Sequence, residues 1–537
     1  MNKKCYECED FDVAMPNSAL HAARRSADLQ ALKKGEELDI LVVGGGITGV
    51  GIALDAASRG LRTALVEKHD LAFGTSRFSS KLIHGGLRYL AKLEFGIAYN
   101  SAVERGRLLE VIAPHLVKPL AQISALGPDT TLAQKIATRI GYLAGDVLRS
   151  FAGTPTSVLP RSRYITPATT CRLFPAVNRA GLLGAWLNYD GQMIDDARLV
   201  MAVARTAAEH EARIITRCAA THLTGTSATL TDVLTGDTYT VRAKAVVNAT
   251  GVWAGTVEPT ISIRPSRGTH LVFDAEKFGN PTGSLVFPLK GSFTRFLFII
   301  PEQFGRCYLG LTDEESPGDI PDVPETPDTD IAFLLDGVNQ SLGMHLTTDD
   351  VRGVFTGLRP LIDAGSGQTA DVSRKHAIIT SPDGVVSVVG GKYTEYRLMA
   401  EETIDAVLEA TGISTATCKT KTLPLVGAPG HIESMHIDMT RYNELPESMI
   451  ARFGYEAPTV LSTATISDPL GKIAGLDVTR AEIEFAFTHE GALNIDDVLD
   501  RRTRIGLVPE DRQQALSEIE AIYQYLQRPG DHNESFT

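Results

Sequence analysis

The spacing of apolar positions changes several times along the chain, and each change marks an element. DILVV, Asp39 to Val43, is a short continuous apolar run, followed by glycines and then by GITGVGIALDAASRG, where apolar residues recur at helical spacing as far as Gly60. A second run, RTALVEK, comes next, so the first unit reads strand, helix, strand. MIDDARLVMAVARTAAEH predicts a helix from about Asp195 to His210, and the alternating segments ARIITRC, SATLTDV and TYTVRA predict short strands. KAVVNATG reads as a buried strand that ends in a turn at Gly251. From about Ile261 to Gly310 the turn-broken alternation of SIRPSRGTHLVF, FTRFLFII and CYLGLTD predicts a largely antiparallel sheet separate from the first unit. Pro317 to Asp330 reads as a loop, VVSVVGGK as another strand entering glycines, and Thr394 to Thr411 as a helix stopped by Gly412. From about Met439 onward the pattern is mainly helical.

Two amphipathic segments stand out. Leu20 to Gly35 has the spacing of a short helix with Arg24, Arg25, Lys33 and Lys34 on its outer side. Thr131 to Phe151 places Leu132, Ile136, Ile140, Leu143, Val147 and Phe151 on one stripe, flanked by Lys135, Arg139 and Arg149. The second is the pattern of a helix able to lie in an anionic membrane surface, and equally of one that is half-buried.

At 537 residues the chain exceeds what one hydrophobic core sustains, so two or three domains are expected. A formal charge of −13 argues against general nucleic-acid binding and requires that any anionic ligand meet a local basic cluster. Six scattered cysteines do not make a disulfide framework and fit a reducing compartment. Cys5 and Cys8 have metal-clip spacing but no second pair nearby, so no metal site is expected. No apolar run is long enough to span a bilayer, and the polar start lacks a signal-peptide core; the expectation is a cytoplasmic protein, with attachment to the membrane surface left open.

GGGITG supplies Gly44, Gly46 and Gly49 in the spacing G-x-G-x-x-G, directly after one predicted strand and opening one helix. Such glycines make a tight turn, let a pyrophosphate approach the backbone and let helix and strand pack closely. Glu67 ends the next strand, where a carboxylate can accept both hydroxyls of an adenosine ribose and disfavours a 2′-phosphate. The chain then enters DLAFGTSRFSSKLIHGG, a polar loop suited to a longer, permanently bound flavin, rather than the further βα units of a nicotinamide enzyme. On this reading Ser76, Ser79, Ser80 and Lys81 serve pyrophosphate or ribityl oxygens, and Gly85 and Gly86 admit a flat ring, the alternative being a capped helix start. Gly251 joins the cofactor set. Gly390 and Gly391, with Lys392, precede a helix whose N-terminus is a donor for the charge of reduced flavin.

In order, TSRFSSKLIHGGLRYL, ERGRLLEVIAPHLVKPL, NYDGQMIDDARL, VVNATGVWA, TGLRPL and GGKYTEYR closely resemble the FAD-dependent glycerol-3-phosphate dehydrogenases, and HEGALNIDDVLDRRTR looks like that family's closing segment. The resemblance implies FAD bound without a covalent link, a fold shared with the D-amino-acid oxidase group, oxidation of sn-glycerol 3-phosphate to dihydroxyacetone phosphate, and electron delivery to membrane quinone. The fold expected is α/β: a Rossmann-like FAD-binding domain, an inserted mixed or antiparallel-sheet substrate domain, and a C-terminal helical domain. The boundaries expected are an extension over 1–36, an oxidoreductase core over 37–425 and the helical domain over 426–537. Within the core, FAD-binding parts take about 37–115, 187–258 and 353–412, and substrate-binding parts about 116–186 and 259–352.

A phosphomonoester calls for a fixed cationic clamp, and arginine suits it because its planar fork binds two oxygens and keeps its charge. Arg88, Arg359 and Arg374, with Lys392, match the family's active-site positions. His270 matches an active-site histidine and is the candidate base for the C2 hydroxyl, with Arg359 an alternative partner for the developing alkoxide. Tyr89, Thr312 and Asp313 are candidates for the substrate pocket, and His84 has no assigned role. The chain departs from the family where it has Glu395 in place of a common threonine and Arg267 in place of a lysine. Glu395 is expected either to cap the helix and point to solvent or to place negative charge near the reduced ring. Peripheral attachment to the cytoplasmic face follows from the quinone-linked role, and a homodimer is compatible with, but not fixed by, the sequence. Rival readings are a glycerol-3-phosphate oxidase using oxygen, an amine or amino-acid oxidase, and a flavin-binding protein without turnover.

Overall fold

The computed structural model describes residues 16–91, 94–128, 130–289, 295–362, 375–434 and 442–528, so Cys5, Cys8 and Arg374 lie outside the described residues. Its first sheet has eight strands, with Ala377–Thr380, Val386–Val389, Thr238–Asn248, Leu38–Val43, Thr63–Val66 and Arg213–Ile215 side by side in that order. From Val386–Val389 to Arg213–Ile215 neighbours run parallel. Leu38–Val43 is buried along its whole length because both faces are covered, and alternation along the strand divides its side chains between two cores. Ile40 and Val42 join the core under helices Ile47–Ser58, Asp196–Glu209 and Tyr396–Thr411. Leu41 and Val43 pack on the other side with Leu29 and Leu32 of helix Ala22–Lys33 and with the meander Cys218–Thr224, Ser227–Asp232.

The second sheet has ten strands, mostly antiparallel. Its long strand Ile263–Asp274 is flanked by Arg306–Gly310 and by Gly353–Ile362, which sets His270 opposite Gly310 on one side and opposite Phe355 on the other. Ser266 pairs with Arg359 in the same register. The sheet also takes the whole of Ala185–Met193.

The C-terminal region is helical as expected, with Arg480–Thr488 and Pro509–Leu526 around Ile483, Val498, Ile519 and Ile522, and Glu447–Phe453 packed through Met449 and Phe453 in a second cluster with Phe485. It docks on the first sheet through buried charge. Asp70 accepts hydrogen bonds from Arg501 Nε at 2.6 Å and from both terminal nitrogens of Arg502 at 2.8 and 3.0 Å. Burial alone would raise the Asp70 carboxyl; the two guanidinium groups override it and hold it at about 2.

Two basic residues, Arg25 expected on the outer side of its helix and Arg149 expected to flank an apolar stripe, are buried. Arg25 donates to the carbonyls of Thr216 and Arg217 and pairs with Asp232 at 2.6 Å, because the outer side of its helix is covered by the strand ends of the first domain. Arg149 is buried against the Thr154 carbonyl, closing the turn after helix Leu132–Phe151. Spacing reports polarity but not which residues cover a helix later. The apolar stripe of that helix remains exposed, with Leu132 at 73%, Ile140 at 60% and Phe151 at 75%.

Candidate active site

The glycine turn sits where strand Leu38–Val43 meets helix Ile47–Ser58. A Cβ on Gly49 would lie 1.8 Å from the Gly44 carbonyl oxygen, so the strand and helix meet only through glycine. Gly46 caps the helix with no side chain of its own, and the Ile47 N–H is instead satisfied by Ser76 Oγ at 2.9 Å. Glu67 accepts from the Gly45 N–H at 2.7 Å and the His69 N–H at 2.8 Å, one on each oxygen. Burial raises its carboxyl, opposed by those two hydrogen bonds.

The loop that follows ties this turn to the second sheet. Ser79 N–H donates to Asp196 at 2.9 Å, and Lys81, almost wholly buried, places its ammonium 2.7 Å from the same carboxylate. The charge of Lys81 is therefore committed to Asp196 at the start of helix Asp196–Glu209. Burial lowers the Lys81 ammonium, and Asp196 opposes the shift. Ser80 Oγ lies 2.9 Å from His270 Nε2, the donor being set by the imidazole tautomer. Gly85 N–H donates to Asp190, which also holds Arg105 at 2.7 Å, and a Cβ at Gly85 would strike the Arg105 guanidinium. Gly86 meets helix Phe95–Arg107.

His270 is buried, stacked on Phe355 with ring centroids 4.6 Å apart, and its Nδ1 has no hydrogen-bond partner among the described residues. Burial, then the nearby charges of Lys81 and Arg359, pushes the imidazole well below its usual value, so it is neutral at physiological pH. Arg359 is about a fifth exposed and is fixed by Asp313 and Ser266 Oγ, each at 3.1 Å, and by the Thr312 carbonyl at 3.4 Å. Behind it Asp330 accepts the fork of Arg267 at 3.0 and 3.0 Å and the hydroxyls of Thr269 and Thr312. Arg267 is thereby a structural anchor for the strand that carries His270.

On the other side, Gly390 and Gly391 lead into Lys392 and the helical turn Tyr393–Glu395 that starts helix Tyr396–Thr411. The Lys392 ammonium stands 3.6 Å from the centroid of the Tyr89 ring and donates to Ser101 Oγ at 2.8 Å and Glu395 at 3.0 Å. Glu395 is 4% exposed, which overturns the expectation that it points to solvent. Arg88 lies in helix Leu87–Ala91, but its side chain is outside the described residues, as is Arg374. Gly251 opens a turn at the end of Thr238–Asn248, with open space where a Cβ would be.

Sequence reasoning missed Asp196, Asp190, Asp330, Ser101 and Phe355. The first two stand in NYDGQMIDDARL, a motif whose carboxylates were visible but could be assigned only once their basic partners were known. The glycine turn fits a pyrophosphate: the N-cap of Ile47–Ser58 is a glycine with no side chain of its own, the side-chain oxygen that the helix start meets is the Ser76 hydroxyl, and Glu67 retains lone pairs for a ribose.

Comparisons with known proteins show the family. A family model described as FAD dependent oxidoreductase matches residues 39–397, and one described as the C-terminal domain of alpha-glycerophosphate oxidase matches 418–530. The chain is 57% identical to glycerol-3-phosphate dehydrogenase 1 of Mycobacterium tuberculosis over 511 residues, covering 94% of this chain and 98% of that protein. It is 33% identical to the mitochondrial glycerol-3-phosphate dehydrogenase of Bos taurus, covering 90% and 70%. The structure of a glycerol-3-phosphate dehydrogenase from Bacillus halodurans complexed with FAD superimposes with a TM-score of 0.70 at 25% identity, covering 94% and 95% of the two chains. The chain belongs to the FAD-dependent oxidoreductases, within the family of the glycerol-3-phosphate dehydrogenases, and its cofactor is FAD.

Proposed function

We propose that the protein oxidises sn-glycerol 3-phosphate to dihydroxyacetone phosphate and passes the electrons to a membrane quinone. The observation that carries the chemistry is the strand pair Ile263–Asp274 and Gly353–Ile362, whose register puts a buried neutral His270 and a rigidly held, partly exposed Arg359 on one face of the sheet. FAD, when bound, supplies the hydride acceptor. His270 is the proposed acceptor of the C2 hydroxyl proton, which its neutral imidazole is able to take at physiological pH. Arg359 steadies the oxygen that loses this proton, with Thr312 and Asp313 keeping the guanidinium in place. Arg88, Tyr89 and Arg374 are assigned to the substrate, and Lys392 to the site's remaining positive charge. The cofactor set is Gly44, Gly46, Gly49, Glu67, Ser76, Ser79, Ser80, Lys81, Gly85, Gly86, Gly251, Gly390 and Gly391. The division into extension, core and helical domain is retained as part of this reading.

Phosphate recognition is testable at Arg88. One charge-assisted hydrogen bond contributes about 1.5–3 kcal/mol, so Arg88→Ala should raise the KM for sn-glycerol 3-phosphate by about ten- to a hundredfold. A KM unchanged in steady-state assays would remove Arg88 from the substrate site.

The electron acceptor is the second part of the proposal. Among the described residues no helix is long and apolar enough to cross a membrane. Helix Leu132–Phe151 instead exposes Leu132, Ile136, Ile140, Leu143, Val147 and Phe151 on one side, continued by Phe95 and Tyr99 of the helix it touches. A stripe of this kind suits the cytoplasmic surface of a membrane. Flotation with anionic phosphatidylglycerol vesicles should carry the protein to the top of a gradient, and Ile140→Glu with Val147→Glu should leave it at the bottom. Wild-type protein that stays at the bottom would contradict the attachment. The C-terminal match to an alpha-glycerophosphate oxidase domain keeps oxygen as the alternative acceptor. Reduction of a quinone analogue much faster than oxygen consumption supports the quinone; the reverse supports the oxidase.

A further inference from the structure

We propose that Glu395 is a positioning residue for Lys392, acting through a closed triangle of buried groups with Ser101. The inference rests on the assignment of Lys392 to the active site. Lys392 leaves the glycine turn that follows strand Val386–Val389, and an unrestrained ammonium there would sweep through many rotamers. Three groups remove that freedom. Ser101 Oγ, from helix Phe95–Arg107 and fully buried, accepts from the ammonium at 2.8 Å. Glu395, one helical turn beyond the lysine, accepts from it at 3.0 Å. The same carboxylate oxygen accepts from Ser101 at 2.5 Å, which closes the triangle. The ammonium also stands over the ring of Tyr89 at 3.6 Å, a favourable cation–π distance.

Each corner comes from a different element, so the triangle also fixes how those elements meet. Lys392 follows the glycines, Ser101 lies on helix Phe95–Arg107, and Glu395 ends the turn that starts helix Tyr396–Thr411. The side chains of Lys392 and Glu395 are 4% and 5% exposed, so water does not replace either partner readily. A threonine at position 395 is too short to span the same gap and carries no charge. The two groups carry opposite charges, so Glu395 offsets the charge of the ammonium while fixing where it points.

The test combines kinetics with a measurement on the FAD-free protein. Glu395→Gln keeps the shape and loses the charge; it should lower kcat for sn-glycerol 3-phosphate by about tenfold with KM within about twofold. In a Lys392→Met background the same substitution should cost nothing further. In FAD-free protein, amine labelling followed by mass spectrometry should find Lys392 modified severalfold faster in Glu395→Gln than in the wild type. Equal costs in the two backgrounds, or unchanged labelling of Lys392, would overturn the proposal, as would a lowered melting temperature with unaltered kinetics. If Lys392→Met itself leaves kcat/KM intact while labelling still responds to Glu395→Gln, the assignment of Lys392 to the active site fails and the positioning contact stands. Should Glu395→Gln not fold, Ser101→Ala removes one corner of the same triangle and is judged by the same two readouts.

Discussion

Gly49→Val should purify as colourless protein. The added Cβ would stand 1.8 Å from the Gly44 carbonyl oxygen, a contact that only movement of helix Ile47–Ser58 away from strand Leu38–Val43 relieves. Overpacking of this severity costs about 3 kcal/mol or more, equivalent to a loss of FAD affinity of about two orders of magnitude. The loss falls on cofactor binding because the displaced helix N-terminus is the proposed phosphate site. FAD content by visible absorbance, with circular dichroism to confirm that the remaining fold is intact, checks this. A yellow, fully loaded variant would show that the turn is not where FAD binds.

His270→Gln should retain FAD and lose turnover. A positioned general base contributes about 10²- to 10⁴-fold, and kcat should fall within that range with the flavin spectrum unchanged. The pH profile carries a second check. Burial and the charges of Lys81 and Arg359 keep the imidazole neutral well below pH 6.5, so kcat should be level through that pH and decline only under more acid conditions. The same shift has a stability consequence with a definite sign. A depressed folded-state value means the stabilisation is complete above the unfolded value, near 6.5, and is lost as pH falls toward the folded value. A midpoint in kcat at the ordinary histidine value would mean that the titrating group is not this buried one.

Local patterns were the most legible part of the molecule. The glycine turn and its flanking strand and helix depend on contacts a few residues apart, and the expected helix from about Asp195 to His210 is observed as Asp196–Glu209 with Asp195 as its cap. Gly412 ends helix Tyr396–Thr411 in a left-handed conformation, as its position after the last apolar residue suggested. What the sequence concealed was partnership over distance. Ser80 and His270 are 190 residues apart, and Lys81 and Asp196 115 apart, yet each pair is in direct contact. The pairing of Lys81 with Asp196 was hidden because a sequence displays charge without displaying burial, and Arg25 read as a surface residue for the same reason. The membership of Ala185–Met193 and Gly353–Ile362 in the second sheet was also hidden, because strand pairing, not composition, decides which sheet a segment joins. The C-terminal helices were visible as helices, but their attachment through Asp70, Arg501 and Arg502 was not.

Anaerobic mixing of the FAD-loaded protein with sn-glycerol 3-phosphate tests the central claim most directly, because it asks for the reductive step alone and needs no electron acceptor. The visible absorbance of the flavin should bleach with sn-glycerol 3-phosphate, and not with glycerol or with amino acids. Absorbance that persists with sn-glycerol 3-phosphate, or bleaches with an amino acid instead, would contradict the account.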